Sequence, residues 1–159
     1  MFKRVPLWIV ILVSSALAVG AQQVPANPVD DYSGMYSFLR DGEFLQLTIE
    51  DGGRVTGFIS RFGDLDSDRG VFLDHFFKPG KLEGNRLAFS TETVHNVWYD
   101  FKGTVERGLG KNRSEEDYYT LRGTLTENMT DANKKTSSRS RQVAFKSFPL
   151  DSEPPAKNN

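Results

Sequence analysis

The chain has no cysteine, and among its 159 residues there are only two histidines and two tryptophans. Without cysteine there is no disulfide to brace a small domain, no thiolate nucleophile or metal ligand, and no lipid-bearing cysteine behind the leading segment. Two histidines cannot by themselves assemble a multi-histidine zinc site. An excess of one charge is lacking too: 20 basic against 21 acidic residues leave a net charge of −1, which argues against nucleic acid or an anionic membrane surface as the main partner. The only long apolar run is residues 5–19, and no segment repeats apolar residues at helical spacing. No nucleophile has a recognisable local frame and no glycine-rich loop opens a helix to hold phosphate. Enzyme is therefore the minority reading, and no cofactor is expected.

What is present begins with a basic start, Met1-Phe2-Lys3-Arg4, followed by the apolar run and the small residues Gly20-Ala21. This pattern predicts a signal peptide over residues 1–21, cut after Ala21, and hence an exported protein, periplasmic or secreted, with no stable membrane insertion afterwards. A membrane anchor would need about 20 apolar residues. Residues 22–30, polar and broken by Pro25 and Pro28, read as a disordered leader. Residues 31–148 read as one β domain and residues 149–159 as a disordered tail.

Within the domain, short alternating runs follow one another between turn signals. Leu45, Leu47 and Ile49 share one face after the Asp41-Gly42 turn, and Val55, Gly57 and Ile59 share one after Asp51-Gly52-Gly53. Residues 71–77 make a further strand, ended by a break at Pro79-Gly80, and residues 86–91 make the next. The clearest alternation sets Val97, Tyr99, Phe101, Gly103 and Val105 against Trp98, Asp100, Lys102, Thr104 and Glu106. Tyr119, Leu121, Gly123 and Leu125 alternate likewise; residues 127–140 read as a long polar loop, with a last strand at Val143 and Phe145. The fold class expected is all-β: an antiparallel up-and-down meander of about eight strands forming a closed or nearly closed barrel, with a two-sheet β-sandwich as the alternative. Glycine inside a strand costs stability, and Gly57, Gly103 and Gly123 mark sharp bends or room for another group.

The opening strand carries Gly34-Met35-Tyr36. With the meander that follows, this resembles the calycin group, the lipocalin-like and avidin-like barrels, whose first strand opens with glycine, any residue, tryptophan. Here Tyr36 stands in the tryptophan's place. The resemblance implies that Tyr36 plugs one end of the barrel, that Arg141 packs on it from the last strand, and that the interior holds a small apolar ligand.

Candidate chemistry is sparse. Asp64, Asp66 and Asp68 alternate as in a calcium loop, but Arg69 and His75 stand where that loop needs glycine and a bidentate glutamate, so a solvated acidic loop is the better reading. His75 shares its register with Val71, Leu73 and Phe77 and is expected to point inward, as a core residue, a haem or metal ligand, or with Asp74 the base of a hydrolase or isomerase. The leading expectation is an exported binding module for a small, apolar ligand, its pocket lined by Tyr99, Phe101, Gly103, Tyr119, Gly123, Gly57 and His75. The alternative is a protein-interaction or structural envelope protein without a ligand. Phe44, Phe58, Phe62, Phe72, Phe76 and Trp98 fall opposite the core register. They lie either under loops or in a patch for a protein partner or a homodimer.

Overall fold

The computed structural model describes residues 31–64, 66 and 68–150. The expected signal peptide and leader, residues 1–30, and residues 151–159 of the expected tail lie outside the described residues.

The described residues form one antiparallel sheet of eight strands, each hydrogen-bonded to its neighbours in sequence: β1 (Gly34–Ser37), β2 (Phe44–Ile49), β3 (Arg54–Phe62), β4 (Phe72–Glu83), β5 (Arg86–Thr91), β6 (Val97–Arg107), β7 (Tyr119–Thr130) and β8 (Thr136–Lys146). The sheet curls until its two edges meet. Ser147 bridges Tyr36, Phe148 N donates to Met35 O at 2.8 Å, and Lys146 N donates to Ser37 Oγ at 3.0 Å. The up-and-down barrel is thus the architecture. Among the described residues the single helical element is a 3-10 turn, Asp51–Gly53, between β2 and β3.

The alternation read from the sequence is realised strand by strand. Leu45, Leu47, Val55, Ile59, Leu87, Phe89, Tyr99, Phe101, Leu121, Leu125 and Phe145 all point inward and are buried, while the intervening positions face out. An aromatic belt crosses the middle: Phe77 stacks on Phe89 at 4.1 Å and Phe89 on Phe101 at 5.3 Å, and Phe101 lies 6.1 Å from Phe145. Burying each such side chain contributes roughly 1.5–3 kcal/mol, so the core alone explains how the barrel holds without a disulfide.

Two sequence expectations are corrected. The stretch 127–140 is the far half of a hairpin, β7 running to Thr130 and β8 starting at Thr136, with Asp131 Oδ1 accepting from the backbone of Asn133 and Lys135 in the turn. Met129 apart, both faces of this ribbon are polar. Cross-strand bonds such as Ser138 Oγ to Asn128 Oδ1 at 2.6 Å fasten it where no apolar face could. Nor does Pro79-Gly80 end a strand. β4 passes through it as a bulge, the register shifting between Lys78 and Lys81, which is where a sheet accommodates a residue without an N–H.

The glycine pair on β6 and β7 shows what its room is used for. Gly103 faces Gly123 across the ladder, and a Cβ on Gly103 would lie 2.7 Å from the Phe101 ring and 2.8 Å from Gly123 Cα. Close approach of the two strands and the neighbouring ring occupies the space that side chains would otherwise need.

Candidate ligand-binding end of the barrel

The barrel's two ends are built from different loops. Residues 31–33, the β2–β3 and β4–β5 turns, and residues 108–118 make one; residues 38–43, 63–71, 92–96 and 131–135 make the other. At this second end, inward positions that continue the apolar registers carry polar side chains. Glu43 precedes Leu45 and Leu47, Arg61 follows Ile59, His75 precedes Phe77, Tyr99 precedes Phe101 on β6, and Arg141 pairs with Leu125.

Glu43 is fully served. Its carboxylate accepts from Phe62 N at 3.0 Å and from Arg40 Nε at 2.8 Å, tying the β1–β2 loop to the end of β3. Its neighbours are not so served. Tyr99 and His75 are wholly buried with their rings edge-on at 5.3 Å, and the Arg61 guanidinium sits 6.0 Å from the Tyr99 ring centre. Tyr99 Oη, both ring nitrogens of His75, and Nε of Arg61 and of Arg141 are buried without a hydrogen-bond partner. Arg61 does reach Asp64 through Nη1 at 2.6 Å, and Arg141 bridges Glu127 at 3.6 Å, so the unpaired Nε–H groups are what these side chains turn inward. Phe38, from the β1–β2 loop, packs on the Tyr99 ring at 5.6 Å and on Phe145 at 5.2 Å.

Burial and then the Arg61 charge push the His75 pKa down to about 4. The Glu92 backbone opposes this in part, although neither ring nitrogen makes a hydrogen bond of acceptable geometry. The imidazole is neutral at physiological pH, offering one donor and one acceptor. Burial raises the Tyr99 hydroxyl's pKa, with Arg61 pulling against it, so the phenol stays protonated and holds an unused donor. The cluster therefore presents mostly donors. An unsatisfied buried polar atom costs about 1–3 kcal/mol, so several at one end form the most expensive feature of the core.

The sequence-predicted residues are distributed unevenly. Tyr99 and His75 meet at this end, whereas Phe101, Gly103 and Gly123 lie in the middle of the barrel. Gly57 sits between Gln46 O and the Phe77 ring. Tyr119 belongs to the opposite end, its ring 4.9 Å from Tyr32 and 4.6 Å from Tyr118. Arg141 does not pack on Tyr36. The guanidinium whose charge acts on Tyr36 is that of Arg113; Tyr36 is bridged by Ser147, and Arg141 lies six residues back, midway along β8. Asp74 and His75 cannot work as a pair: adjacent strand residues face opposite ways, and Asp74 is exposed on the outer face with Ser60 donating to it at 2.7 Å. The aspartates of the acidic loop diverge, Asp64 onto Arg40 and Arg61, Asp66 onto Arg69, and Asp68 onto the His95 ring, Oδ2 2.7 Å from Nδ1. Arg61 and Arg141 went unread as site residues.

No protein-family model matches this chain, and no curated protein matches it in sequence. Solved structures do resemble it. Rhizavidin aligns over 79% of this chain and 89% of its own, with a TM-score of 0.56 and 12% identity. A rhizavidin–biotin complex aligns over 77% and 97%, at 0.57 and 12%. A complex of short afifavidin with biotin aligns over 76% and 92%, at 0.54 and 15% identity. At such identities the likeness speaks for architecture, and it shows this chain to have the fold of a small avidin-like barrel of the calycin type.

Proposed function

We propose that the protein is an exported binding module that takes a small molecule at the Arg61–His75–Tyr99 end of the barrel. The observation that carries this reading is the group of buried, partnerless polar atoms under Phe38. A fold tolerates such a cost where the groups serve a ligand more readily than where they serve packing. Arg61 Nε, Arg141 Nε and Tyr99 Oη are donors, so the ligand that suits them carries acceptor oxygens, a carbonyl or a carboxylate, on an apolar body that lies against Phe38, Ile59 and Leu125. Rhizavidin and short afifavidin, which share the fold, have been solved with biotin. Biotin has both oxygen types on an apolar frame and is the first probe to try. Entry requires Phe38 and its loop to swing aside. Export rests on the pattern of residues 1–21.

Native mass spectrometry of the protein from its own source, with titration calorimetry against biotin and a medium-chain fatty acid, tests the proposal. A retained mass or a measurable heat is expected, lost in Arg61→Ala. No retained mass together with no heat from either probe would sink it.

A further inference from the structure

The outer face of β2–β4 carries five phenylalanines in one connected group. Phe62 stacks on Phe72 at 4.4 Å, Phe58 lies 5.6 Å from Phe76, and Phe44 lies 6.0 Å from Phe58 and 6.4 Å from Phe72. They are cross-strand neighbours, Phe58 opposite Phe76 and Phe62 opposite Phe72. Phe72 is 46% exposed and Phe76 58%, with Val71 at the margin 55% exposed. Trp98 takes no part, since it stands on β6 beside Asn128. Soluble monomers seldom leave a connected apolar patch of this kind uncovered.

We propose that this face is the contact between two copies of the chain, packed sheet to sheet about a two-fold axis at Phe76. Charge selects a second copy as the occupant. Phe76, the most exposed of the five rings, stands between Asp74 and Lys78 on the outward register of β4. Neither Asp74 nor Lys78 has an ion-pair partner among the described residues. Both stand about 7 Å from Phe76 along the strand, on opposite sides. A two-fold axis in the plane between the sheets and across β4 lays Phe76 on its own copy. Each Asp74 then comes opposite the Lys78 of the other copy, so that one contact forms twice. A partner without this symmetry would have to supply both charges at the same spacing by chance.

Sedimentation equilibrium of the purified chain from about 1 to 300 μM tests this, a range that brackets a micromolar dimer. Dimer should grow with concentration, and Phe76→Asp should leave a monomer whose circular dichroism and melting match the parent. Lys78→Asp should weaken the dimer about 10-fold or more through like-charge contact, and adding Asp74→Lys to it should restore most of the loss. A wild type that stays monomeric throughout overturns the proposal, whether or not the face binds vesicles or another protein. So does a dimer indifferent to Phe76→Asp, or a reversed pair that fails to recover although it melts normally.

Discussion

Tyr36 and Tyr99 are the same residue in the same situation, at inward positions of β1 and β6 and 1% and 0% exposed, yet at opposite ends of the barrel. Tyr36 donates its hydroxyl proton to Tyr32 O at 2.6 Å. Around it, Arg113 donates to Ser33 O at 3.1 Å and also to Asp31 O, and Tyr119 packs on Tyr32, so the incoming chain is tied to β1, to the β6–β7 loop and to the start of β7. Tyr99 donates to nothing, and the groups beside it, His75 and Arg61, also hold unpaired atoms. One end is tied by satisfied contacts around Tyr36, beside an open cavity of about 490 Å³ between Asp31, Ile49, Leu82 and Gly84, whereas the other is held by the loop Phe38 rides on and leaves its polar atoms waiting. The contrast separates a tyrosine that maintains the fold from one that costs the fold something. Only the second kind calls for an explanation outside the folded chain itself.

The largest effect expected at the unsatisfied end comes from pH. The His75 pKa is 6.5 unperturbed and about 4 in the fold. Above pH 6.5 the residue is neutral folded or unfolded and adds no slope. As pH falls from 6.5 to 4 the unfolded chain takes up a proton that the folded chain refuses, so stability drops, by at most about 1.4 kcal/mol per unit. Below about 4 both states hold the proton and this slope vanishes. Urea titrations at several pH values should show the loss, and His75→Leu should flatten that part of the profile. If instead the His75 ring titrates near 6.5 by proton NMR, that end is wet and the contrast between the two ends breaks.

The tyrosines themselves supply a smaller and more discriminating pair. Tyr36→Phe removes a made hydrogen bond and should cost about 1 kcal/mol, whereas Tyr99→Phe removes an unpaired buried hydroxyl and should leave the empty protein as stable as before or more so, by about 1–2 kcal/mol. If Tyr99 serves a ligand, the same Tyr99→Phe change should weaken binding while it stabilises, the usual trade at a site. Equal destabilisation by both changes would mean that Tyr99 has a partner, and the asymmetry would disappear.

Much of this was legible before any coordinates. The inward registers of β2, β3, β6 and β7 follow from alternation, because a half-buried strand leaves a period of two in its side chains. The ends of β7 and β8 escaped because their ribbon carries, Met129 apart, polar side chains on both faces, so no period marks it. The site was partly written: Arg61 is two residues past Ile59, Glu43 two before Leu45, and Arg141 two before Val143, each a charge where the register demands an apolar residue. Reading past the last apolar position would have flagged all three. That Arg61 Nε and Tyr99 Oη lack partners was not readable, since it depends on which strands the closed barrel brings opposite one another. The aromatic face was readable as residues but not as one patch, because the contacts of Phe44 with Phe58 and Phe72 span three strands.

The smallest test concerns the satisfied end. There Arg107 lays its guanidinium 3.4 Å from the centre of the Tyr118 ring, 5.7 Å from that of Tyr119, and donates to Gly110 O at 3.1 Å. Arg107 is exposed and Tyr118 only half-buried, so the stacking is worth about 0.5–1 kcal/mol, and Arg107→Ala should lower the melting temperature by a few degrees at most. Its interest lies in what it leaves alone. If the Tyr36 end only maintains the barrel, Arg107→Ala should shift the melt without moving the His75 titration or the affinity of any ligand held beneath Phe38. A change in either readout would mean that the two ends communicate through the aromatic belt of Phe77, Phe89 and Phe101. The division of the molecule into a structural end and a binding end would then be wrong.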